Sequence, residues 1–115
     1  MERSLTEQER EWLCLGLVTL AKGEAWGGGN WIEIETGKVK PKDEPIDPQR
    51  WIDQIDGLRV VGQCQCGEPN CHTVQFQHFV PGRVVGIVAY HTDDGRHLNI
   101  LVNEDTGLLA ELEVV

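Results

Sequence analysis

The sequence predicts an α+β fold: an N-terminal helix packed on one face of an antiparallel meander of four or five strands, with a second short helix between them. Three observations carry this. An apolar helical stripe runs through residues 6–22, strand-like alternation dominates from Leu58 onward, and short turns rich in Gly, Pro and Asp separate the later strands.

The first helix has a readable start. Thr6 and Glu9 form a capping-box pattern, in which each residue's side chain satisfies the other's backbone N–H. Trp12, Leu13, Leu17, Leu20 and Ala21 then recur at helical spacing, and Gly23 suits the position after the last turn. Cys14, among Leu13, Leu15 and Leu17, reads as core packing. Gly27-Gly28-Gly29 breaks the chain, and Trp31 to Thr36 alternates Ile32 and Ile34 with Glu33 and Glu35 as a short strand would. Residues 37–48 hold three prolines among mixed charges and read as a loop. A second helix starts with Asp47 as N-cap, Pro48 at the first helical position, and Ile46 and Trp51 as a hydrophobic staple. Gly57 ends it after about nine residues.

The strands expected beyond it are Leu58–Val61, Thr73–Val80, Val84–His91, Arg96–Asn103 and Leu108–Val114. Turns fall at Pro81-Gly82, Asp94-Gly95 and Asn103–Gly107, and such short connections imply antiparallel neighbours. One face carries Val74, Phe76, Val80, Leu98, Ile100, Val102, Ala110, Leu112 and Val114, and the first helix is its natural cover. There is no internal repeat, and the expectation is one domain over residues 1–115.

The chain has 115 residues, 40% of them hydrophobic and 25% charged, which is ordinary for a globular domain. Its formal net charge of -9 argues against nucleic-acid binding, which needs clustered Lys and Arg to displace counterions. The only basic run, Lys38, Lys40 and Lys42, is followed at once by Asp43 and Glu44. An acidic surface suits solubility and a basic partner. The N-terminus lacks the charged and apolar regions of a secretory signal, and the apolar run from Trp12 to Ala21 is too short to cross a bilayer. A cytoplasmic protein is therefore expected, in which clustered thiols stay reduced and point to metal or reactivity.

The densest chemical feature is Cys64-x-Cys66-x4-Cys71-His72. Three thiols and an imidazole can fill a tetrahedral zinc shell, and Gly67, Pro69 and Asn70 supply a tight turn between them. In an extended backbone Cys64 and Cys66 share a face while Cys71 and His72 point apart, so four-fold ligation requires a turn at 71–72. Without one, Cys64 and Cys66 are small strand residues. A reactive thiol has less in its favour, because there is no Cys-x-x-Cys and Glu68 would raise nearby thiol pKa values.

The order Cys-x-Cys-Gly…Cys-His resembles the zinc-binding tail of the bacterial preprotein translocase motor. That resemblance implies Cys64, Cys66, Cys71 and His72 as ligands, across about nine residues and with a shorter central gap. Gly62-Gln63-Cys64-Gln65-Cys66-Gly67, Thr73-Val74 and Leu112-Glu113-Val114 also resemble small uncharacterised bacterial proteins with Gly-x-Cys-x-Cys-Gly before a strand. This second resemblance implies a recurring domain and carries over no catalytic residue.

His91, Asp93, Asp94 and His97 gather around one hairpin. A two-residue Asp94-Gly95 turn would send His91 and His97 to opposite faces, whereas a three-residue loop would make them cross-strand partners. Turn chemistry alone explains the acids. His78 reads as a half-buried strand histidine held by a backbone carbonyl. Trp12 and Trp51 read as core, while Trp26 and Trp31 flank the glycine run, where an exposed aromatic can mark a binding surface and packing of the loop onto the helix explains them equally well. No phosphate-binding glycine loop is present, and Ser4 as the sole serine rules out a recognisable serine triad.

The leading expectation is a non-enzymatic protein-interaction domain, with an inhibitor or immunity-type partner of a basic protein as its form. The alternatives are a domain stabilised by structural Zn2+ at Cys64, Cys66, Cys71 and His72, and an enzyme using that cluster with His91 or Asp94 as acid–base partner.

Overall fold

The computed structural model describes residues 2–21, 31–32, 39–40, 48–64, 71–82 and 84–114. In chain order they form β1 (Arg3–Ser4), α1 (Glu7–Ala21), β2 (Trp31–Ile32), β3 (Val39–Lys40), α2 (Pro48–Ile52), a 3-10 turn (Ile55–Gly57), β4 (Arg59–Gln63), β5 (Val74–Phe76), β6 (Val84–His91), β7 (His97–Asn103) and β8 (Leu109–Val114). The α+β class and the two helices match the sequence pattern. The sheet is larger than the four or five strands expected, with eight antiparallel strands among the described residues, in the order β1-β4-β5-β8-β7-β6-β2-β3.

Only β6-β7-β8 is a meander. The β4–β5 hairpin adds to the far side of β8, because the Thr73 hydroxyl bonds both backbone groups of Val114, accepting from its N–H at 2.9 Å and donating to its carbonyl at 3.2 Å. β5 ends at Phe76 instead of reaching Val80. Gln77 turns its side chain back to accept the Arg59 N–H at 2.6 Å and to donate to the Gly57 carbonyl at 3.3 Å, and Phe79 N–H closes a turn onto Phe76. Val80 is consequently exposed, and His78 sits half-buried in that turn rather than on a strand. Val39–Lys40, expected as loop, pairs with Trp31–Ile32. Ile34, Trp26, Ile46 and Asp47 lie outside the described residues.

The core lies between α1 and the sheet. Trp12, Leu13, Leu17 and Leu20 meet Val74, Phe76, Leu98, Ile100, Val102, Leu112 and Val114. The predicted face is right except at two places, Val80 and Ala110. A bulge between Leu101 and Val102 makes Leu109, not Ala110, the partner of Val102, so Leu109 enters the core. Cys14 is exposed, with Leu15 and Val18, so it is not the core residue expected. Trp12 and Trp51 are buried as expected.

The capping box at the start of α1 is formed: Glu9 N–H donates to Thr6 Oγ1 at 3.1 Å, and Thr6 N–H donates to Glu9 Oε1 at 2.9 Å. The second helix is shorter than expected and passes into the 3-10 turn after Ile52. It is clamped to the β7–β8 turn, where Trp51 Nε1 donates to the Gly107 carbonyl at 2.8 Å and Leu109 N–H donates to Gln54 Oε1 at 2.9 Å.

Helix α1 lies close against the sheet at Gly16. A Cβ there would lie 2.6 Å from Ile100 Cδ1 and 2.7 Å from Tyr90 Cε1. The Tyr90 ring has little room to yield, because its hydroxyl donates to the Trp12 carbonyl. Gly16→Ala is therefore expected to destabilise the fold by about 1–2 kcal/mol, overpacking exceeding the gain in helix propensity. Urea unfolding checks this; a variant as stable as the parent would show that the helix is free to lift off.

Candidate functional site

A cleft of about 640 Å³ opens where the start of α1, the end of β4, residues 71–74 and the β6–β7 loop meet. Trp12 is its floor. The Arg96 guanidinium carbon lies 5.6 Å from the centre of the Trp12 ring, and the His72 ring centre lies 6.0 Å away at a 41° tilt. One indole thus has both a cation and an imidazole beside it, and ring electrostatics favour the cation.

One wall is the pair Arg3–Glu9. Both terminal guanidinium nitrogens of Arg3 donate to the carboxylate, at 2.8 and 2.9 Å. The Glu9 side chain is only 8% exposed. Burial alone would raise its pKa, but the hydrogen bonds from Arg3 and Thr6 and the Arg3 charge outweigh burial, and the carboxyl sits below its ordinary range. The β6–β7 loop also lines the cleft. Thr92 donates its hydroxyl to Asp94, and Asp94 Oδ2 lies 3.3 Å from Arg96 Nε. The Thr92 bond, with help from the Arg96 charge, holds the Asp94 carboxyl below its usual value. A carboxylate so stabilised is a weak base and a poor proton donor at neutral pH.

Cys64, Cys71 and His72 all line this cleft, so three of the four residues singled out by their spacing do come together. Cys66 lies outside the described residues. The Cys64 N–H donates to the Thr73 carbonyl at 3.0 Å, which brings the two ends of the cysteine segment side by side. Residues 71–73 contain neither turn nor bend. Cys71 Sγ lies 3.6 Å from Thr73 Oγ1, whereas the ring of His72 faces Trp12, as alternation in an extended segment requires. The turn that four-fold ligation needs is not present at 71–72. Among the described residues, no three His, Cys, Asp or Glu side chains are grouped closely enough to hold a metal ion.

The hairpin residues divide between two places. Asp94 joins the cysteines in the cleft, while His91 and His97 are cross-strand partners that line a separate hollow. Arg3 and Arg96 carry no motif and were not legible as site residues. Glu9 was legible only as a helix cap, and Trp12 only as core.

The chain matches no family model, no curated protein and no solved structure.

Because Glu9 has a lowered pKa in the fold, its contribution is complete above its ordinary value of 4.5 and is lost as pH falls through the lower folded value. Glu9→Gln keeps the capping box but loses the charge. It is expected to cost about 1–2 kcal/mol at pH 7, after allowing for the partial exposure of Arg3. The deficit should shrink on acidification below pH 4.5. Urea midpoints across that range measure it, and a deficit independent of pH would rule out the ion pair as its source.

Proposed function

We propose that the chain is a non-enzymatic protein-interaction domain whose acidic surface receives a basic partner. One observation supports this above the others: the described arginines are already engaged. Arg3 is held by Glu9, Arg10 by Asp56 at 2.6 Å, Arg59 by Glu2 at 3.2 Å and Arg96 by Asp94. Arg50 donates to the Thr106 carbonyl at 3.1 Å. Exposed Glu7, Glu11, Asp93 and Glu104 form no ion pair among the described residues and leave a surplus of negative charge facing solvent. Such a surface steers a cationic protein into encounter and contributes most at low ionic strength. An inhibitor or immunity-type pairing is one form of this role.

Capture at about 50 mM salt, followed by titration of the isolated complex up to about 300 mM, is the experiment, because screening shortens the reach of surface charge over that range. Association should slow severalfold with salt and again in a Glu7→Lys/Glu11→Lys variant. A complex whose formation ignores both salt and charge reversal would overturn the electrostatic reading.

The convergence of Cys64, Cys71 and His72 on one cleft favours a second reading, in which these residues and Cys66 hold a structural Zn2+. The donors suit zinc by softness, but binding all four would require His72 to leave Trp12 and rotate toward the Cys71 side. On this reading, protein purified without added zinc holds close to one zinc per chain, releases it on thiol modification, and melts at lower temperature with a chelator. Metal content far below one per chain would exclude it.

A further inference from the structure

His91 and His97 were two scattered letters of a turn in the sequence, and the loop between them fixes their relation. Gly95, with φ of 88°, takes the left-handed conformation that ends a three-residue loop. The Gly95 N–H donates to the Thr92 carbonyl at 3.1 Å, and the Thr92 N–H donates to the Arg96 carbonyl at 2.9 Å. The next pair out from this rung is His91 opposite His97. By the alternation of an antiparallel ladder it is the non-hydrogen-bonded position, where facing side chains come closest. Tyr90 and Leu98 point toward α1, so the two histidines project from the opposite face of the sheet.

We propose that His91 and His97 form a two-histidine site for a divalent transition-metal ion, open at its remaining coordination positions. Their ring centres are 4.7 Å apart, with the planes inclined by 56°. An imidazole nitrogen lies about 2.0–2.1 Å from zinc, which puts the ring centre about 3.2 Å from the ion, so rings at this separation subtend roughly 95° at a shared metal. That angle lies between the adjacent positions of an octahedron and those of a tetrahedron, and the backbone register sets the two rings side by side in advance. With Ala89 and Tyr90 the pair lines a hollow of about 440 Å³, which leaves space for water or an outside donor to complete the shell. No third ligating side chain joins them among the described residues, so the site is a bidentate chelate. Imidazole nitrogen suits zinc, copper and nickel, and the acidic chain draws cations to its surface. This site is independent of the cysteine cleft.

Zn2+ titration of the intact protein, followed by imidazole proton–nitrogen NMR, tests the pair directly and separates it from any metal at the cysteines, which His72 would report. The resonances of His91 and His97 are expected to move together with one binding constant. His91→Asn or His97→Asn should each weaken that step about tenfold or more, because the second ligand of a chelate binds at high effective concentration. His78→Asn, with no part in the pair, should leave it unchanged. Independent shifts of the two rings, or a single variant that binds as tightly as the parent, would overturn the proposal. Both substitutions lie at the end of a hairpin, and an unchanged melting temperature confirms that the variants are folded.

Discussion

The seat of α1 on the sheet at Gly16 is the contact on which the rest of the molecule depends. Without a side chain there, the helix backbone settles against Ile100 and Tyr90, and the Tyr90 hydroxyl reaches the Trp12 carbonyl one turn earlier. Burial raises the pKa of this phenol, with the charge of Glu11 adding to the effect, so it stays protonated and donates across the physiological range. That fixes the height and rotation of the helix. Trp12 then lies where Arg96 and His72 can both pack against it, and Glu9, one turn earlier still, meets Arg3 of the outermost strand. The cleft is thus a by-product of how closely one helix approaches one sheet.

Much of the fold was legible because local chemistry and tertiary packing agree. Thr6 and Glu9 announced a helix start that forms atom for atom, and the Val84–His91 strand was bounded correctly by Pro81-Gly82 and the Asp-Gly turn. The failures share a cause. Arg3–Ser4 and Val39–Lys40 are strands of two residues, too short to show a period, and they are defined by their pairing with β4 and with the equally short Trp31–Ile32. Gln77 ends β5 through bonds to Arg59 and Gly57, remote positions that periodicity cannot reveal. Cys14 sits beside core positions in the sequence yet falls on the solvent side, because a helix turns by 100° per residue and the apolar stripe is narrower than the run of apolar letters suggests.

The site was legible in composition and not in arrangement. Clustered thiols with an adjacent histidine are visible to anyone reading the chain, and three of those residues do share a cleft. What spacing could not show is that the cleft also takes residues from the N-terminal strand, the first helix and a hairpin some twenty positions further on. For the histidines the ambiguity was a single residue of loop length, and the pairing of His91 with His97 resolves it.

The outer border of the sheet carries one more consequence. β1 covers β4 only at Arg59 and Val60, and the bulge between Val60 and Gly62 falls where that cover stops. A strand left bare at the rim of a sheet is a template on which other copies can polymerise. Here the bare stretch is short and bent, and a bulge increases its local twist, so a second molecule cannot extend a flat ladder along it. Val61 stands exposed on this edge, where the shape of three residues, as well as the net charge, disfavours edge-to-edge pairing.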